Sequence, residues 1–309
     1  MGRRREPGPP GILLLDKPVG VTSAAATRSV GRHFRLDPVG HTGTLDPAAT
    51  GLLVVCTGYA TRLVPWLQAG EKGYVAQVRF GEETTTFDVE GEVTRVAAPP
   101  PDMAAALAAA LPRFVGELTQ IPPSFSAVRV DGERAHVRAR RGEIDAKDLP
   151  PREIQIFAIE ILRVEGTDAW LDVRCSPGTY IRSLAVDLGR ALGSAAHLAG
   201  LRRERTGGFH VDDAVGLEAL MALSAPGEHW RPLPDALPNW PRRLLDEGEL
   251  SEVLNGGAVE DRGGHGAGPL LMVDSRGAAV AVGEGVDGPD ARRIVVRRLL
   301  TSNTPATAS

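Results

Sequence analysis

The chain has 309 residues, of which 35 are basic and 39 acidic, giving a formal net charge of −4. Hydrophobic residues make up 42% and charged residues 24% of the sequence, as in a globular protein with a sizeable core. This balance does not indicate nucleic-acid binding, so such a partner must be inferred from local features. No apolar run approaches the ~18 residues that cross a bilayer, and residues 12–15 are too short for a signal-peptide core. We expect a cytoplasmic protein that does not contact membranes.

The two cysteines, Cys56 and Cys175, lie far apart in the sequence, and both fall in runs that predict strands. There is no Cys-x-x-Cys pair and no Cys/His spacing typical of a zinc ligand set, so we expect no metal site. Free cysteines fit a reducing compartment.

The first half of the chain alternates strand patterns with helix patterns. In chain order the residues predict a basic tail (1–10), a strand (12–15), a helix capped by Thr22 or Ser23 (22–34), a loop rich in Gly, Thr, Pro and Asp (37–51), a buried strand (52–56), an amphipathic helix ending near Gly70 (60–67), a strand (74–80) and an alanine-rich helix starting after Asp102 (103–114).

The second half is less regular. In chain order it predicts an Arg-rich excursion with weak periodicity (120–151), two strands (154–164 and 169–175), a helix whose first turn holds Tyr180 and Arg182 (181–192), a packed linker (229–241) and short β-like runs with a loose tail (242–309).

This order of elements lacks a regular βαβ rhythm. It predicts an α+β fold with a mixed, mostly antiparallel central sheet flanked by helices. We predict a tail (1–10), a catalytic domain (11–240) with an insertion at about 120–151, and a small β domain (241–309).

Residues 40–51, Gly-His-Thr-Gly-Thr-Leu-Asp-Pro-Ala-Ala-Thr-Gly, hold the first candidate for chemistry. Their glycines allow sharp turns and close approach to a ligand, and Pro47 stiffens the residue after Asp46. A carboxylate in a rigid loop before a buried strand is a reasonable nucleophile. Taken alone, however, Asp46 more often makes an Asx turn, and His41 is more often a hydrogen-bonded loop histidine.

The segment resembles the catalytic motif of the TruB family of tRNA pseudouridine synthases, which act on uridine 55 of the T-loop. Six further segments resemble motifs of that family in the same order, between about residues 11 and 215: residues 17–23 (KPVGVTS), 72–74 (KGY), 84–91 (TTTFDVEG), 120–127 (QIPPSFSA), 178–182 (GTYIR) and 201–207 (LRRERTG).

The resemblance implies a cofactor-free isomerisation that breaks the C1′–N1 bond of uridine and joins C1′ to C5. It implies Asp46 as the nucleophile, Arg182 as the guanidinium that keeps Asp46 ionised, and Tyr74 as the ring that stacks on the flipped-out uracil. An ionised Asp46 can attack C1′, remove a ribose proton to give a glycal, or stabilise an oxocarbenium-like state, and the sequence does not choose between these routes.

The same resemblance implies further substrate contacts. His41 would steady the flipped nucleotide or fill the space that it leaves, Tyr180 would line the pocket, and the backbone of Leu201 would bind the uracil edge. Lys17 would contact RNA or support the catalytic loop.

By charge alone, the basic residues of the insertion fit a solvated mixed-charge surface as well as a tRNA-binding one, and the resemblance to the family favours tRNA binding. The candidate RNA contacts are Arg129, Arg134 and Arg141 in the insertion, and Arg202 and Arg203 in the later strand. The insertion departs from the family pattern at Phe125, Arg129 and His136. These departures bear on how the insertion binds RNA, not on the catalysed reaction.

Residues 242–309 resemble a PUA domain, a small RNA-binding β-module, in the turn at 254–257 and the strand at 292–300. Nothing in the composition requires an oligomer or an obligate protein partner, so we expect a monomer. Two other functions remain open: a non-enzymatic tRNA-binding or chaperone protein, which would not need Asp46, and a nucleoside or glycoside hydrolase. The hydrolase usually needs a second carboxylate, which this loop lacks.

Overall fold

The computed structural model of the chain describes residues 8–126, 129–130, 133–266, 268–288 and 291–301. Its contacts divide it into two compact units. Unit 1 contains residues 1–46, 53–68 and 213–309, and unit 2 contains residues 47–52 and 69–212.

The strands of the described residues are numbered in chain order. They are β1 Gly11–Lys17, β2 Val39–His41, β3 Thr50–Thr57, β4 Lys72–Phe80, β5 Glu82–Thr84, β6 Val93–Val96, β7 Gly116–Gln120, β8 Arg129–Val130, β9 Glu133–Arg134, β10 Arg152–Glu165, β11 Asp168–Cys175, β12 Ala196–Thr206, β13 Phe209–His210, β14 Val215–Gly216, β15 Trp230–Pro232, β16 Arg242–Leu244, β17 Val259–Glu260, β18 Pro269–Val273, β19 Ala279–Val286 and β20 Arg293–Leu299.

The α-helices are short, and several are preceded or followed by a 3₁₀ turn. They are α1 Ser23–His33, α2 Val64–Gln68, α3 Met103–Ala110, α4 Ala135–Arg140, α5 Ile181–Ala191, α6 Leu217–Met221, α7 Leu233–Ala236 and α8 Glu247–Leu254. None of the helices that the structure describes has both the length and the apolar character needed to cross a bilayer.

Unit 2 is built on a sheet with the strand order β3-β12-β4-β11-β10-β7. The start of β3 pairs with β12 in parallel, and the other pairs in this order are antiparallel. Alternate residues of β11, such as Leu171 and Val173, are buried in a core that also receives Leu107 of α3 and Leu184 of α5. The prediction of an α+β fold with a mixed, mostly antiparallel sheet is therefore confirmed.

In unit 1, β1 lies between β14 and β3, and β15 also pairs with β1. Helix α1 starts where the sequence predicts, because the Thr22 side chain caps it by accepting a hydrogen bond from Ala25 N. It packs Ala26 and Val30 against β1 residues such as Leu13. Cys56 in unit 1, like Cys175 of unit 2, is a buried, free cysteine on a strand, as predicted.

Residues 242–300 form a separate five-stranded sheet, β16-β18-β19-β20-β17, with its own apolar cluster. The predicted β character of this region and the strand near its end are confirmed. Helix α8, however, was not predicted. Its signal is present in the sequence, because Asp246 and Glu249 form a capping box in which each side chain accepts a backbone N–H of the other residue.

Two other predictions are wrong in detail. Residues 37–51 are not all loop, because β2 occupies 39–41 and β3 starts at Thr50. Residues 229–241 contain β15 and α7 rather than only a linker. Strand β15 exists because Trp230 pairs with Leu13, and its indole covers Gly11, where a Cβ atom would lie 2.4 Å from the ring. Such a partner, distant in sequence, leaves no local pattern.

Two predicted helices split into a 3₁₀ segment and an α-helix. Residues 58–63 are 3₁₀ before α2, and residues 111–114 are 3₁₀ after α3, where Pro112 cannot donate a backbone hydrogen bond. The insertion predicted at about 120–151 contains a short ribbon, β8 with β9, followed by α4.

Candidate active site

The loop that carries Asp46 is held from both sides within unit 1. Strand β2 pairs antiparallel with β3, which places His41 opposite Val55. The Ser23 hydroxyl at the start of α1 donates to Leu45 O at 3.0 Å and accepts from Leu45 N at 2.8 Å. Because Leu45 is 3% exposed and bonded through both backbone atoms, the half-buried Asp46 next to it follows a fixed backbone.

Gly51, at the end of the same motif, permits the close approach of two strands in unit 2. It has a φ of +98° and pairs with Arg203 of β12 in parallel register. A Cβ atom at this position would lie 2.2 Å from Arg203 O, well inside van der Waals contact. The glycine is therefore required by strand packing, in addition to any role in approach to a ligand.

Tyr74 lies on β4 in unit 2, where it pairs with Val173 of β11 and Arg203 of β12. Its ring is partly buried against the core cluster of this unit. Leu201 of β12 pairs with Ala76 of β4 and packs on the same cluster. Unit 2 thus brings Tyr74 and Leu201 onto adjacent strands, with the partners of Tyr74 and Ala76, Arg203 and Leu201, on either side of Arg202.

Arg182 lies in the first turn of α5, as the sequence predicts. Its side chain is buried, with 8% of it exposed. Its guanidinium donates to Phe125 O at 2.9 Å and Thr86 O at 3.2 Å, and lies 3.4 Å from Asp88 Oδ2. Burying a guanidinium requires an anion and further acceptors, and this set supplies both within unit 2.

Asp88 is a member of this site that the sequence analysis did not single out. Its Oδ1 accepts from Thr86 Oγ1 at 2.5 Å and from Glu90 N at 3.0 Å, which leaves Oδ2 to face Arg182. The signal in the sequence was the acid within the Thr-rich motif 84–91, but nothing local showed that it meets a residue 94 positions later.

Tyr180 occupies the N-cap position of α5 and connects this helix to the insertion. Its N donates to Gln120 Oε1 at 2.7 Å, and its carbonyl accepts from Gln120 Nε2 at 3.1 Å. Its side chain packs on a small cluster that includes Ile144 and Leu149 of the insertion. The position of the Tyr180 side chain therefore depends on the insertion.

The predicted RNA-contact residues have diverse environments. Lys17 is 0% exposed and its Nζ donates to Pro18 O and Val21 O at 2.8 Å. Arg203 is 2% exposed and its Nε donates to Leu52 O at 2.8 Å. Both buried side chains hold backbone carbonyls, and their contact with RNA stays a prediction.

The other cations of this set differ from the buried pair. Arg141 is exposed, but it forms ion pairs with Glu133 and Glu143, each at 2.6 Å. Arg202 is partly buried opposite Thr50. Strands β8 and β9 place Arg129 opposite Arg134, whose side chains lie outside the described part of the chain.

Lys72, two residues before Tyr74, is an unusually buried lysine. Burial, and secondarily the positive charge of Arg203, lower its pKa from 10.5 to about 8. Its Nζ donates to Gly70 O at 2.9 Å.

Among the residues that the structure describes, no group of three His, Cys, Asp or Glu side chains is arranged to hold a metal ion.

Comparison with known proteins identifies the class to which this fold and site belong. Residues 32–181 match the family described as TruB family pseudouridylate synthase (N terminal domain), and residues 182–237 match the tRNA pseudouridylate synthase B C-terminal domain. The fold resembles a solved structure described as a Cbf5-Nop10-Gar1 complex, with a TM-score of 0.71 and 25% identity over 97% of this chain and 91% of that one.

Individual relatives agree. The tRNA pseudouridine synthase B of Bordetella parapertussis is 49% identical over 228 residues, which cover 72% of this chain and 91% of that protein. The protein of the same name from Pseudomonas fluorescens is 40% identical over 299 residues, covering 94% and 96%. The chain belongs to the TruB family of pseudouridylate synthases, which confirms the family predicted from its motifs. The matches to the two family domains end at residue 237, so RNA binding by the C-terminal sheet stays a prediction.

Proposed function

We propose that this enzyme converts uridine 55 in the T-loop of tRNA to pseudouridine, with Asp46 as its nucleophile. The observation that carries the proposal is the similarity, over most of the chain, to proteins named tRNA pseudouridine synthase B. The fixed backbone around Leu45 supports the role of Asp46, since a nucleophile must be held in place before it attacks. The buried, free cysteines fit a cytoplasmic location.

The reaction breaks the bond between C1′ and N1 and forms one between C1′ and C5. The C5 proton leaves and N1 gains a proton, so no redox partner is required. We propose that the carboxylate of Asp46 takes up the electron deficiency that develops at the sugar, by attack on C1′, by removal of a ribose proton or by electrostatic stabilisation. Each of these routes needs Asp46 to be ionised.

We propose that Arg182 is the cation that acts with Asp46 in this reaction. The burial of its guanidinium supports this role, because a charge acts more strongly in a site with little water. Asp88 and the carbonyls of Thr86 and Phe125 fix the orientation of the guanidinium, so it need not reorganise during the reaction.

The remaining predicted residues would bind the flipped nucleotide. Stacking of uracil on Tyr74 would contribute about 1–3 kcal/mol. His41 would steady the flipped nucleotide, Tyr180 would line the pocket, and the backbone of Leu201 would bind the uracil edge. Exclusion of water by the bound RNA would prevent hydrolysis to an abasic site.

The test uses an unmodified tRNA transcript labelled with tritium at C5 of its uridines. We expect tritium release with an intact strand, no free uracil, and no release from a transcript in which uridine 55 is replaced by cytidine. Asp46→Asn should abolish release while keeping most of the affinity for tRNA. Asp37→Asn, a matched change at an exposed acid of unit 1, should leave turnover unchanged.

Each other outcome contradicts a part of the proposal. Release from the cytidine transcript would refute the choice of uridine 55. Turnover by Asp46→Asn would refute the nucleophile. Free uracil would identify a hydrolase, and tight binding with no change in the RNA would identify a tRNA-binding or chaperone protein.

A further inference from the structure

The outer face of α1 carries a stripe of arginines. Arg28 and Arg32 are four residues apart, which puts them on one face of the helix, and Arg35 follows directly after the helix end. All three side chains are exposed, whereas Ala26 and Val30 on the opposite face are buried in the core of unit 1. We call Arg28, Arg32 and Arg35 the α1 stripe.

Within the described part of the chain, no ion pair neutralises the charges of the α1 stripe. Asp37 follows it in the sequence, and Glu218 lies on α6, which packs against α1. Among the described residues, neither these nor any other carboxylate lies within the 4.0 Å of an ion pair from the three guanidinium groups. The arginines of the C-terminal sheet behave differently: Arg297, for example, lies 2.6 Å from Glu284. In a chain with a net charge of −4, the stripe is a local positive surface.

The backbone at Arg35 gives independent support for a role of its side chain. Arg35 has a φ of +54°, in the left-handed region. Leu36 N donates to Gly31 O at 2.9 Å, a bond that closes the helix end. Glycine is favoured at such a position because a side chain destabilises the left-handed conformation. The arginine therefore carries a conformational cost at this position, which a function of its guanidinium would explain.

Helix α1 begins beside the loop of Asp46, and the α1 stripe extends from there along the helix. Ser23 at the start of α1 bonds Leu45, the neighbour of Asp46. With a rise of about 1.5 Å per residue, Arg28 and Arg32 lie roughly 8 and 14 Å along the helix axis from Ser23. A polyanion that reaches Asp46 therefore has positive charge within a few nucleotides of it.

We propose that the α1 stripe binds backbone phosphates of the RNA whose uridine is presented to Asp46. This inference rests on the proposed function. Guanidinium groups suit phosphate because they donate two parallel hydrogen bonds to it. The α1 stripe belongs to unit 1, whereas the exposed Arg141 of the insertion belongs to unit 2 and is already paired with two glutamates. The competing explanation is that these arginines only stabilise the negative end of the α1 dipole.

The first test compares two double variants that each remove two positive charges. Arg28→Gln with Arg32→Gln removes part of the stripe, and glutamine keeps helix propensity. Arg113→Gln with Arg163→Gln is the matched control in unit 2, at exposed positions that have no proposed contact with RNA. Affinity for an unmodified tRNA transcript is measured for wild type and both variants between 50 and 300 mM KCl, a range chosen to resolve the salt dependence.

Each phosphate contact contributes about 0.7–0.9 to the slope of log K against log salt. The α1 variant should therefore lose about 1.4–1.8 from the slope and bind roughly tenfold more weakly at 100 mM KCl. The control should match wild type. An α1 variant with the slope and affinity of the control would overturn the proposal.

Pseudouridine formation by the wild type, measured in the same preparations, separates the two proposals. No pseudouridine from the wild type would refute the proposed function whatever the slopes show. Pseudouridine with unchanged slopes would refute only the role of the α1 stripe.

Arg35→Gly distinguishes phosphate binding from stabilisation of the helix dipole. Glycine relaxes the left-handed residue and removes its charge. If Arg35 binds RNA phosphate, the variant should unfold at a higher temperature than wild type and bind tRNA severalfold more weakly. A lower unfolding temperature with unchanged affinity would show that Arg35 only stabilises the helix end and would contradict the proposal.

Discussion

Asp88 offers the sharpest test of how Arg182, the arginine of the proposed active site, is positioned. Its side chain is 12% exposed and that of Arg182 is 8% exposed, so Asp88→Asn removes the anion of a buried pair. Breaking such a pair destabilises by about 3–5 kcal/mol. We expect a value near the lower end, roughly 3 kcal/mol, because asparagine keeps an acceptor for Glu90 N and the guanidinium keeps two carbonyls.

The effect on turnover should exceed the effect on binding. A guanidinium that has lost the Asp88 carboxylate can shift, and a displacement of about 1 Å reduces turnover roughly 100-fold. Single-turnover tritium release at saturating tRNA measures this step, while filter binding gives the affinity, which should change less than about threefold because Asp88 itself is not proposed to contact RNA.

Asp168→Asn is the control for this experiment. Asp168 also pairs with an arginine, at 2.8 Å from Arg79 Nε, but the Arg79 side chain is 46% exposed. We expect a loss of stability below about 1 kcal/mol and unchanged turnover. A folded Asp88→Asn enzyme that turns over within twofold of wild type would refute the idea that Asp88 positions Arg182.

Three further predictions concern stability and reactivity. Because burial lowers the pKa of Lys72 to about 8, the folded state loses this proton before the unfolded state does as the pH rises. The free energy of unfolding should therefore increase by roughly 3 kcal/mol between about pH 8 and 10.5. Denaturant unfolding should show this increase for the wild type and not for Lys72→Met, and parallel curves for the two proteins would contradict it. Burial raises the pKa of Cys56 to about 12 and that of Cys175 to about 11. Iodoacetamide at pH 8 should therefore label neither thiol until the protein is unfolded. Fast labelling of the native protein, detected by mass spectrometry, would contradict the burial of these thiols. Gly51→Ala should destabilise the protein by more than about 3 kcal/mol, because the Cβ of the alanine would collide with the backbone of Arg203. A midpoint of thermal unfolding like that of wild type would show that β3 and β12 can move apart here.

Local patterns in the sequence determined much of this protein. The Thr22 cap and the spacing of apolar residues were enough to predict α1, because capping and periodicity act within one or two turns. Alternation predicted β11, whose two faces differ in burial. The serial motifs around Asp46, Tyr74 and Arg182 identified the family, since chemistry requires particular residue types at fixed places.

Tertiary structure alone decided which distant residues meet. Asp88 and Arg182 are 94 residues apart, and Trp230 makes β15 a strand only by pairing with β1. The same holds for burial: the sequence predicts Lys17 and Arg203 as candidate RNA contacts, and only the fold shows that both are buried and donate to backbone carbonyls. The physical reason is that partners and solvent exposure depend on the packed fold, whereas propensity and capping depend on neighbouring residues.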